Sequence, residues 1–262
     1  MEIKIFTFNP FGEHTYIVYD KTGECAIIDP GMMSDDENAE LAEFIEAHNL
    51  RPTHLINTHM HIDHVAGNNF VEKRYGLVAE CNIEDAYLAE RVKNQAQMFG
   101  IDYKGSDVVI GKQLNDGDVV TFGETELKVL HVPGHSKGHI ALYCEADKRL
   151  FCGDVLFQMS IGRTDLPGGD YRTLLTSIET KLYTLPDDTI VLPGHGGATE
   201  IGFEKAHNPY TVESNSLIIV PSPLKKHSTA MTIRIKPIRR IITLLPVSPM
   251  IFNRRVEARS VR

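Results

Sequence analysis

Four side chains that can bind a metal ion lie within six consecutive residues, in the segment 58–64 with the sequence THMHIDH. Imidazole and carboxylate are ligand types that zinc and iron accept. In an extended segment the side chains of His59 and His61 point the same way, because they are two residues apart. Asp63 and His64 follow on the next turn, where they can face a second ion. This density favours a metal site over a chance cluster of surface histidines.

Three single side chains later in the chain share a local pattern, in which a strand ends in a glycine-containing turn that presents a ligand. They are His135 after the strand 127–132, Asp154 after the strand 150–152 and His195 after the strand 189–192. Glycine permits the tight backbone that such a placement requires. Each signal alone is weak, since a structural His or Asp explains it equally well. Combined with segment 58–64, the three signals predict a metal site at the ends of several strands.

Short strands and helices alternate irregularly along residues 1–210. Strands are predicted over 3–8, 15–19, 26–28, 53–57, 77–81, 119–122, 127–132, 140–143, 150–152 and 189–192, and helices over 65–75, 84–99 and 171–182. Another helix is predicted to begin after Ser34, which can cap it together with Glu37, and to end near Asn49. This mixture suits two sheets packed face to face with helices outside them.

Charge divides the chain of 262 residues into two parts. Residues 214–262 carry ten Lys or Arg and one acid, whereas residues 1–213 carry 17 basic and 34 acidic side chains. We therefore predict a catalytic domain over 1–213 and a basic, poorly ordered tail over 214–262. An acidic body repels polyanions, so nucleic acid is not the expected substrate. The tail leaves open a contact with a membrane surface, nucleic acid or an acidic partner.

The remaining features indicate a cytoplasmic protein. The N-terminus lacks the basic and apolar regions of a signal peptide. The sequence has no apolar run of about 18 residues, so no transmembrane segment is expected. Four widely spaced cysteines form no CxxC pair and are expected to be reduced core residues. Nothing in the sequence specifies an oligomeric state.

In their order along the chain, these motifs resemble those of the metallo-β-lactamase superfamily. The matching features are Asp29 after its strand, the HxHxDH block at 59–64, His135, Asp154 and His195. The resemblance covers about residues 1–210. It implies an α/β fold, the αββα four-layer sandwich, with the site at one edge of the two sheets.

The resemblance also implies a ligand set for two divalent metal ions. His59, His61 and His135 would hold the first ion, Asp63, His64 and His195 the second, and Asp154 would bridge both. Asp29 would support the HxHxDH loop through hydrogen bonds, as carboxylates behind metal ligands do. Zinc is the expected metal, although iron and manganese also fit such mixed sites.

This arrangement predicts hydrolysis of an ester-like bond in a small molecule. Two ions about 3.5–4 Å apart would hold a bridging hydroxide that attacks a carbonyl carbon. Asp63 and Asp154 are the predicted catalytic residues, since they can also orient that nucleophile. A thiolate leaving group needs little protonation, so a thioester requires no dedicated general acid.

Within the superfamily, the chain is most similar to short glyoxalase II-like hydrolases. The loop 162–170, GRTDLPGGD, looks like theirs, and its Arg163 and Asp165 either pin a structural turn or contact the substrate. Asp154 stands where zinc β-lactamases usually carry Cys, so β-lactam hydrolysis is not expected. Segment 214–262 does not resemble the helical domain with which full-length glyoxalase II grips glutathione.

Four hypotheses follow from the sequence. The leading one is a thioester hydrolase acting on a hydroxyacylglutathione or a related compound. The second is a persulfide dioxygenase that uses one iron and oxygen. The third is a lactone hydrolase with the same seven ligands. The fourth is a metal-binding domain anchored to an acidic partner by its basic tail.

Overall fold

The computed structural model describes residues 1–211, so the segment 214–262 predicted to be a basic tail lies outside the described residues. Two six-stranded sheets form the centre of these residues. The strands are Glu2–Phe8 (β1), Glu13–Tyr19 (β2), Glu24–Ile28 (β3), Arg51–Ile56 (β4), Ala79–Cys81 (β5), Ile110–Gln113 (β6), Val119–Phe122 (β7), Thr125–His131 (β8), Ile140–Cys144 (β9), Arg149–Gly153 (β10), Leu156–Phe157 (β11), Ser160–Ile161 (β12), Ile190–Pro193 (β13) and Thr199–Glu200 (β14).

Helices separate and follow these strands. The α-helices are Asp35–Ala47 (α1), Ile62–Val65 (α2), Asn68–Tyr75 (α3), Ala86–Ala89 (α4), Val92–Met98 (α5), Tyr171–Ser177 (α6) and Ile201–His207 (α7). A 3-10 turn, Ile83–Asp85, leads into α4, and a π-helical turn, Ile178–Leu182, continues α6.

Strand direction brings several loops to one edge. The first sheet has the order β1-β2-β3-β4-β5-β6, and β3 and β4 run parallel. The second has the order β14-β13-β10-β9-β8-β7; β10 and β13 are parallel, and β8 runs the same way because β9 is antiparallel to both of its neighbours. The carboxyl ends of β8, β10 and β13 therefore lie at one edge of their sheet.

Alternation along each strand creates the layers of the fold. On β2, Tyr16 and Val18 are buried in the core between the two sheets, whereas Ile17 packs on the opposite face with Leu41 and Ile45 of α1. On the other sheet, a third apolar cluster covers the outer face with side chains of α6 and α7. This period of two is that of a pleated strand with both faces buried. The layers follow the order helix, sheet, sheet, helix, which confirms the predicted αββα sandwich.

Two predicted helices are divided in the structure. Helix 65–75 begins earlier, at Ile62, and is split at Gly67, whose N–H donates to the carbonyl of Pro30 at 2.8 Å. Helix 84–99 was wrong as a single element, since three short helical segments occupy it. Asn82 caps the first turn, and the backbone of Arg91 leaves the helical region before α5. Tertiary contacts override helix propensity here.

The N-terminus of α1 has the predicted capping box. Ser34 Oγ accepts the Glu37 N–H at 3.2 Å, and the Glu37 carboxylate accepts the Ser34 N–H at 3.1 Å. Ser34→Ala is expected to lower the free energy of unfolding by about 1 kcal/mol, because the Glu37 N–H loses its acceptor. Chemical denaturation measures this effect. The control Thr176→Ala removes a hydroxyl that, among residues 1–211, donates to the Arg172 carbonyl, and the change should stay within about 0.5 kcal/mol. Equal losses in the two variants would contradict the capping role.

A polar network joins the two sheets away from the predicted metal residues. The carboxylate of Glu80 on β5 lies 2.6 Å from His54 Nδ1 and 2.6 Å from Lys112 Nζ, and His54 Nε2 lies 3.1 Å from the Thr121 carbonyl on β7. Burial alone would raise the pKa of the Glu80 carboxyl. The hydrogen bonds from His54 and Lys112 outweigh burial and hold the pKa below its usual range.

Glu80→Gln should therefore destabilise the protein in a pH-dependent way. A carboxyl with a lowered folded pKa stabilises the fold above its unfolded pKa of about 4.5, and this stabilisation is lost as the pH falls through the folded value. We expect a loss on the order of 1–2 kcal/mol at pH 7 and a smaller loss at pH 4. Urea denaturation of both proteins at each pH measures it. A difference that is the same at both pH values would contradict this electrostatic account.

The described residues contain neither a membrane-crossing helix nor a disulfide. Among residues 1–211, no helix combines the length and the apolar character needed to cross a bilayer. All four cysteines fall within this range, and each is a buried free thiol.

Candidate metal centre

The HxHxDH segment spans the end of the loop after β4 and the first residues of α2, with His59 and His61 on the loop and Asp63 and His64 in the helix. Asp29, immediately after β3, fixes this loop to the neighbouring strand: its carboxylate accepts the Thr58 N–H at 2.7 Å and the Thr58 hydroxyl at 2.6 Å. The same carboxylate lies 3.2 Å from His64 Nδ1. Asp29 has a φ of +50°, an unusual conformation that Asp tolerates better than most residues. These contacts turn the Nε2 atom of His64 away from Asp29.

The structure brings the three histidines predicted for the first ion together. One ring nitrogen from each of His59, His61 and His135 lies within 4.8 Å of the others. His61 Nδ1 is 2.9 Å from His135 Nε2, and all three residues are buried. His135 Nδ1 lies 2.8 Å from the Arg163 carbonyl, which sets the orientation of the ring. Three ring nitrogens this close together could hold one metal ion.

The residues predicted for the second ion form an adjacent group. Asp63, His64 and His195 each contribute one atom to a set within 4.8 Å. His195 Nε2 lies 3.3 Å from the Asp63 carboxylate, and His64 Nε2 lies 3.7 Å from it. His195 itself is fixed by Nδ1, which is 3.2 Å from the Phe11 carbonyl.

Asp154 lies between the two groups. Its Oδ2 atom is 3.8 Å from His135 Nε2 and 3.5 Å from His195 Nε2, and its Oδ1 atom is 3.4 Å from His64 Nε2. A single carboxylate thus reaches histidines of both groups. This position is the one that a bridging ligand requires.

Several buried polar atoms in this centre lack the partners that a folded protein normally supplies. His59 Nε2, His61 Nε2, His64 Nε2 and Asp154 Oδ1 have no hydrogen-bond partner among residues 1–211. Leaving a buried polar atom unpaired costs about 1–3 kcal/mol. Four unpaired atoms in one place are therefore costly unless a ligand binds them. All four atoms belong to metal-ligating side-chain types. The donor set therefore fits divalent cations.

The pKa shifts differ between the two halves of the centre, which are the three-histidine half (His59, His61 and His135) and the half that contains carboxylates (Asp63, His64 and His195). Burial and the neighbouring histidines lower the pKa of His59 well below its usual value, and burial lowers that of His61 to about 3. Both shifts favour the neutral imidazole, which is the form that binds a metal ion. Burial would also lower the pKa of His64, but the carboxylates of Asp154 and Asp63 outweigh it and raise that pKa well above its usual value. The half with the carboxylates thus stabilises a positive charge.

The loop after Asp154 contributes its backbone to the centre more than its side chains. Arg163 and Asp165 form a bidentate ion pair, with N–O distances of 2.7 and 2.8 Å, and both side chains are exposed. A Cβ atom on Gly162 would lie 1.9 Å from the Asp154 carbonyl, so only glycine fits there. The pair holds the Gly-Arg-Thr-Asp turn together, as one of the two predictions for Arg163 and Asp165 has it; contact with the substrate stays a prediction.

Sequence reasoning left two buried side chains at this centre without a firm role. His139 stacks on His59 with ring centroids 4.6 Å apart, and its Nε2 accepts the Asp154 N–H at 3.1 Å. In the sequence, only its position four residues after His135 relates His139 to the centre. Glu13 is fully buried 4.0 Å from His64 Nδ1, and no pattern in the sequence indicated it.

Comparison with known proteins settles the family. The model of the metallo-beta-lactamase superfamily matches residues 9–195, which include every residue of the centre described above. The chain belongs to the metallo-β-lactamase superfamily. The HxHxDH loop, Asp154 and His195 therefore sit in a fold already associated with metal-dependent hydrolysis.

One hydrolase and two solved structures are similar to this chain over about four fifths of its length. The hydroxyacylglutathione hydrolase GloC of Haemophilus influenzae is 38% identical over 211 residues, covering 80% of this chain and 98% of that protein. The crystal structure of TTHA1623 in a di-iron-bound form has a TM-score of 0.71 and 34% identity, over 79% of this chain and 99% of that one. The BLEG-1 B3 metallo-beta-lactamase has a TM-score of 0.70 and 33% identity, over 80% and 99%. The chain is thus a metal-dependent hydrolase with glyoxalase II-like homologues.

Proposed function

We propose that this protein hydrolyses a thioester, such as a hydroxyacylglutathione, at a centre of two divalent cations. Seven side chains would hold these cations: His59, His61, His135, Asp63, His64, His195 and Asp154. The observation that carries the proposal is the position of the Asp154 carboxylate, within 3.8 Å of histidines from both groups. The resemblance to a hydroxyacylglutathione hydrolase over four fifths of the chain supports the substrate class.

When bound, a pair of such cations polarises a carbonyl group and lowers the pKa of a water molecule so that hydroxide forms near neutral pH. The chain's own residues prepare this chemistry. Asp63 and Asp154 place two carboxylates at the centre, where they orient the attacking oxygen by accepting its proton in a hydrogen bond. The lowered pKa values of His59 and His61 favour the neutral rings, which can bind a cation without first losing a proton.

The ligand motifs include no separate acid for the leaving group, and a thioester needs none. A thiolate is a stable anion near neutral pH, so it can depart without protonation, unlike an alkoxide or an amine. This difference is the chemical reason for preferring a thioester to a lactone as the substrate.

Zinc is our proposal for the metal, because the proposed ligands are five imidazoles and two carboxylates, and zinc binds both types. Iron has the same ligand tolerance, and the TTHA1623 structure is named as a di-iron form. We also propose a cytoplasmic location, supported by the four buried free thiols. The expected partner is a small-molecule substrate.

A thioester assay on zinc-loaded and iron-loaded protein tests the proposed function. Release of free thiol from S-lactoylglutathione and from a simple acyl thioester is followed with a thiol reagent, alongside ring opening of a lactone. We expect kcat/KM for a thioester to exceed that for the lactone at least tenfold. The same preparations are given glutathione persulfide while oxygen uptake is recorded, and no uptake is expected.

Two outcomes would overturn the proposal. Oxygen consumption with the persulfide and no thioester cleavage would indicate the dioxygenase. Lactone opening without thioester cleavage would indicate the lactone hydrolase.

His195→Ala removes a proposed ligand and should abolish thiol release. Asp188→Asn alters an exposed carboxylate paired with Lys148 and should leave thiol release unchanged.

A further inference from the structure

We propose that Asp85 is a positioning residue that fixes the three-histidine half of the metal centre by joining the two loops that supply its ligands. The inference rests on the metal centre proposed above. Asp85 ends the 3-10 turn Ile83–Asp85, and its carboxyl group is completely buried. It lies outside every motif by which the family resemblance was found.

Three hydrogen bonds lead from this one carboxylate to the two loops. Asp85 Oδ2 accepts the N–H of Met60 at 3.2 Å and the hydroxyl of Ser136 at 2.7 Å. Its Oδ1 atom accepts the N–H of Gly138 at 2.6 Å. Met60 lies between His59 and His61, and Ser136 directly follows His135. The carboxylate therefore contacts the backbone or side chain next to each of the three histidines.

Close packing at the same junction is an independent sign that its geometry is fixed. A Cβ atom on Gly138 would lie 2.5 Å from the Asp85 backbone nitrogen and 3.0 Å from its Cβ and Cγ atoms. The loop after His135 can approach the turn this closely only because position 138 is glycine. The turn itself is secured by Asn82, whose amide donates to the Leu114 carbonyl at 2.9 Å and whose oxygen accepts the Glu84 N–H at 3.0 Å.

The other half of the centre depends on different contacts. His64 is oriented by Asp29 at 3.2 Å, and His195 by the Phe11 carbonyl at 3.2 Å. Loss of Asp85 should therefore weaken metal binding by His59, His61 and His135 and spare the half made by Asp63, His64 and His195. A role that merely stabilises the fold would not separate the halves in this way.

The test measures zinc affinity, by competition with a chromophoric chelator, in two backgrounds. His195→Ala leaves the three-histidine half as the intact one, and His61→Ala leaves the other. Adding Asp85→Asn should weaken zinc binding about 10- to 100-fold in the His195→Ala background, which is the usual effect of losing a residue behind metal ligands. In the His61→Ala background the change should stay within about twofold.

Further variants separate positioning from stability. Ser136→Ala removes one of the three hydrogen bonds and should have a smaller effect than Asp85→Asn. Gly138→Ala disturbs the same junction without changing a charge and should weaken the same half. Glu80→Gln changes another buried carboxylate, whose side chain contacts neither loop; it should leave zinc affinity unchanged even where it lowers the melting temperature of the metal-free protein.

The results distinguish this inference from the proposed function. Equal weakening of both halves by Asp85→Asn, or no weakening of either, would overturn the positioning role alone. If the folded His195→Ala and His61→Ala proteins and the unmodified protein all fail to bind zinc or iron, both the metal centre and the role of Asp85 would be wrong.

Discussion

Asp154→Ala is expected to remove bound metal and hydrolytic activity together. The Asp154 carboxylate is the group that reaches His64, His135 and His195, so its loss affects both halves of the centre at once. Losing several kcal/mol of transition-state stabilisation by metal corresponds to a decrease in kcat/KM on the order of 10³-fold or more. Elemental analysis of the purified variant and the thiol-release assay measure the two effects.

The control for this prediction is Asp188→Ala, which removes an exposed carboxylate of the same length. It should retain normal metal content and turnover. If Asp154→Ala kept two ions per chain and normal turnover, Asp154 would not be the bridging residue. If the variant lost activity but kept both ions, Asp154 would have a catalytic role and no bridging role.

Asp29→Asn should weaken metal binding and activity about 10- to 100-fold while the protein remains folded. Asn tolerates the positive φ at this position, so the backbone conformation is preserved. The amide has one acceptor oxygen, however, and cannot replace both oxygens that receive the Thr58 N–H and hydroxyl and face His64 Nδ1. Zinc competition and kcat/KM report the effect.

Asp20→Asn is a matched control for this variant. Asp20 also accepts several hydrogen bonds, including the Thr22 N–H at 2.9 Å and the Glu124 N–H at 2.6 Å. It follows β2, which runs antiparallel to β3, so it lies at the opposite end of the sheet from Asp29. Asp20→Asn can lower the free energy of unfolding, but it should leave zinc affinity unchanged. Equal losses of zinc affinity in the two variants would contradict a specific role for Asp29 behind the metal ligands.

The sequence predicted the parts of this centre that depend on local spacing. Histidines two residues apart before a turn, and glycine turns after strands, are visible without a structure because strand geometry determines where they point. The alternating strands and helices suited two packed sheets with helices outside. The four-layer order itself was implied by the family resemblance, because strands with two buried faces also occur in a single sheet that helices cover on both faces. The predicted ligands lie together in the structure, and their roles as ligands remain our proposal.

The parts that sequence reasoning missed depend on contacts between distant segments. Asp85 lies 25 residues after Met60 and 51 before Ser136, so no periodicity connects it to the metal loops. The role of Gln95 inside α5 was missed for a similar reason. Gln95 turns inward to accept the Ile62 N–H at 3.1 Å and to donate to the Met60 carbonyl at 3.0 Å, a use of a polar residue that helix patterns do not indicate.

The number and spacing of bound metal ions test the central claim most directly. Crystals of the zinc-loaded protein, measured at the zinc absorption edge, locate each ion by its anomalous signal. We predict two peaks about 3.5–4 Å apart, one contacted by His59, His61 and His135, the other by Asp63, His64 and His195, with Asp154 touching both. A single peak, or a pair of peaks that Asp154 does not join, would contradict the proposed binuclear centre.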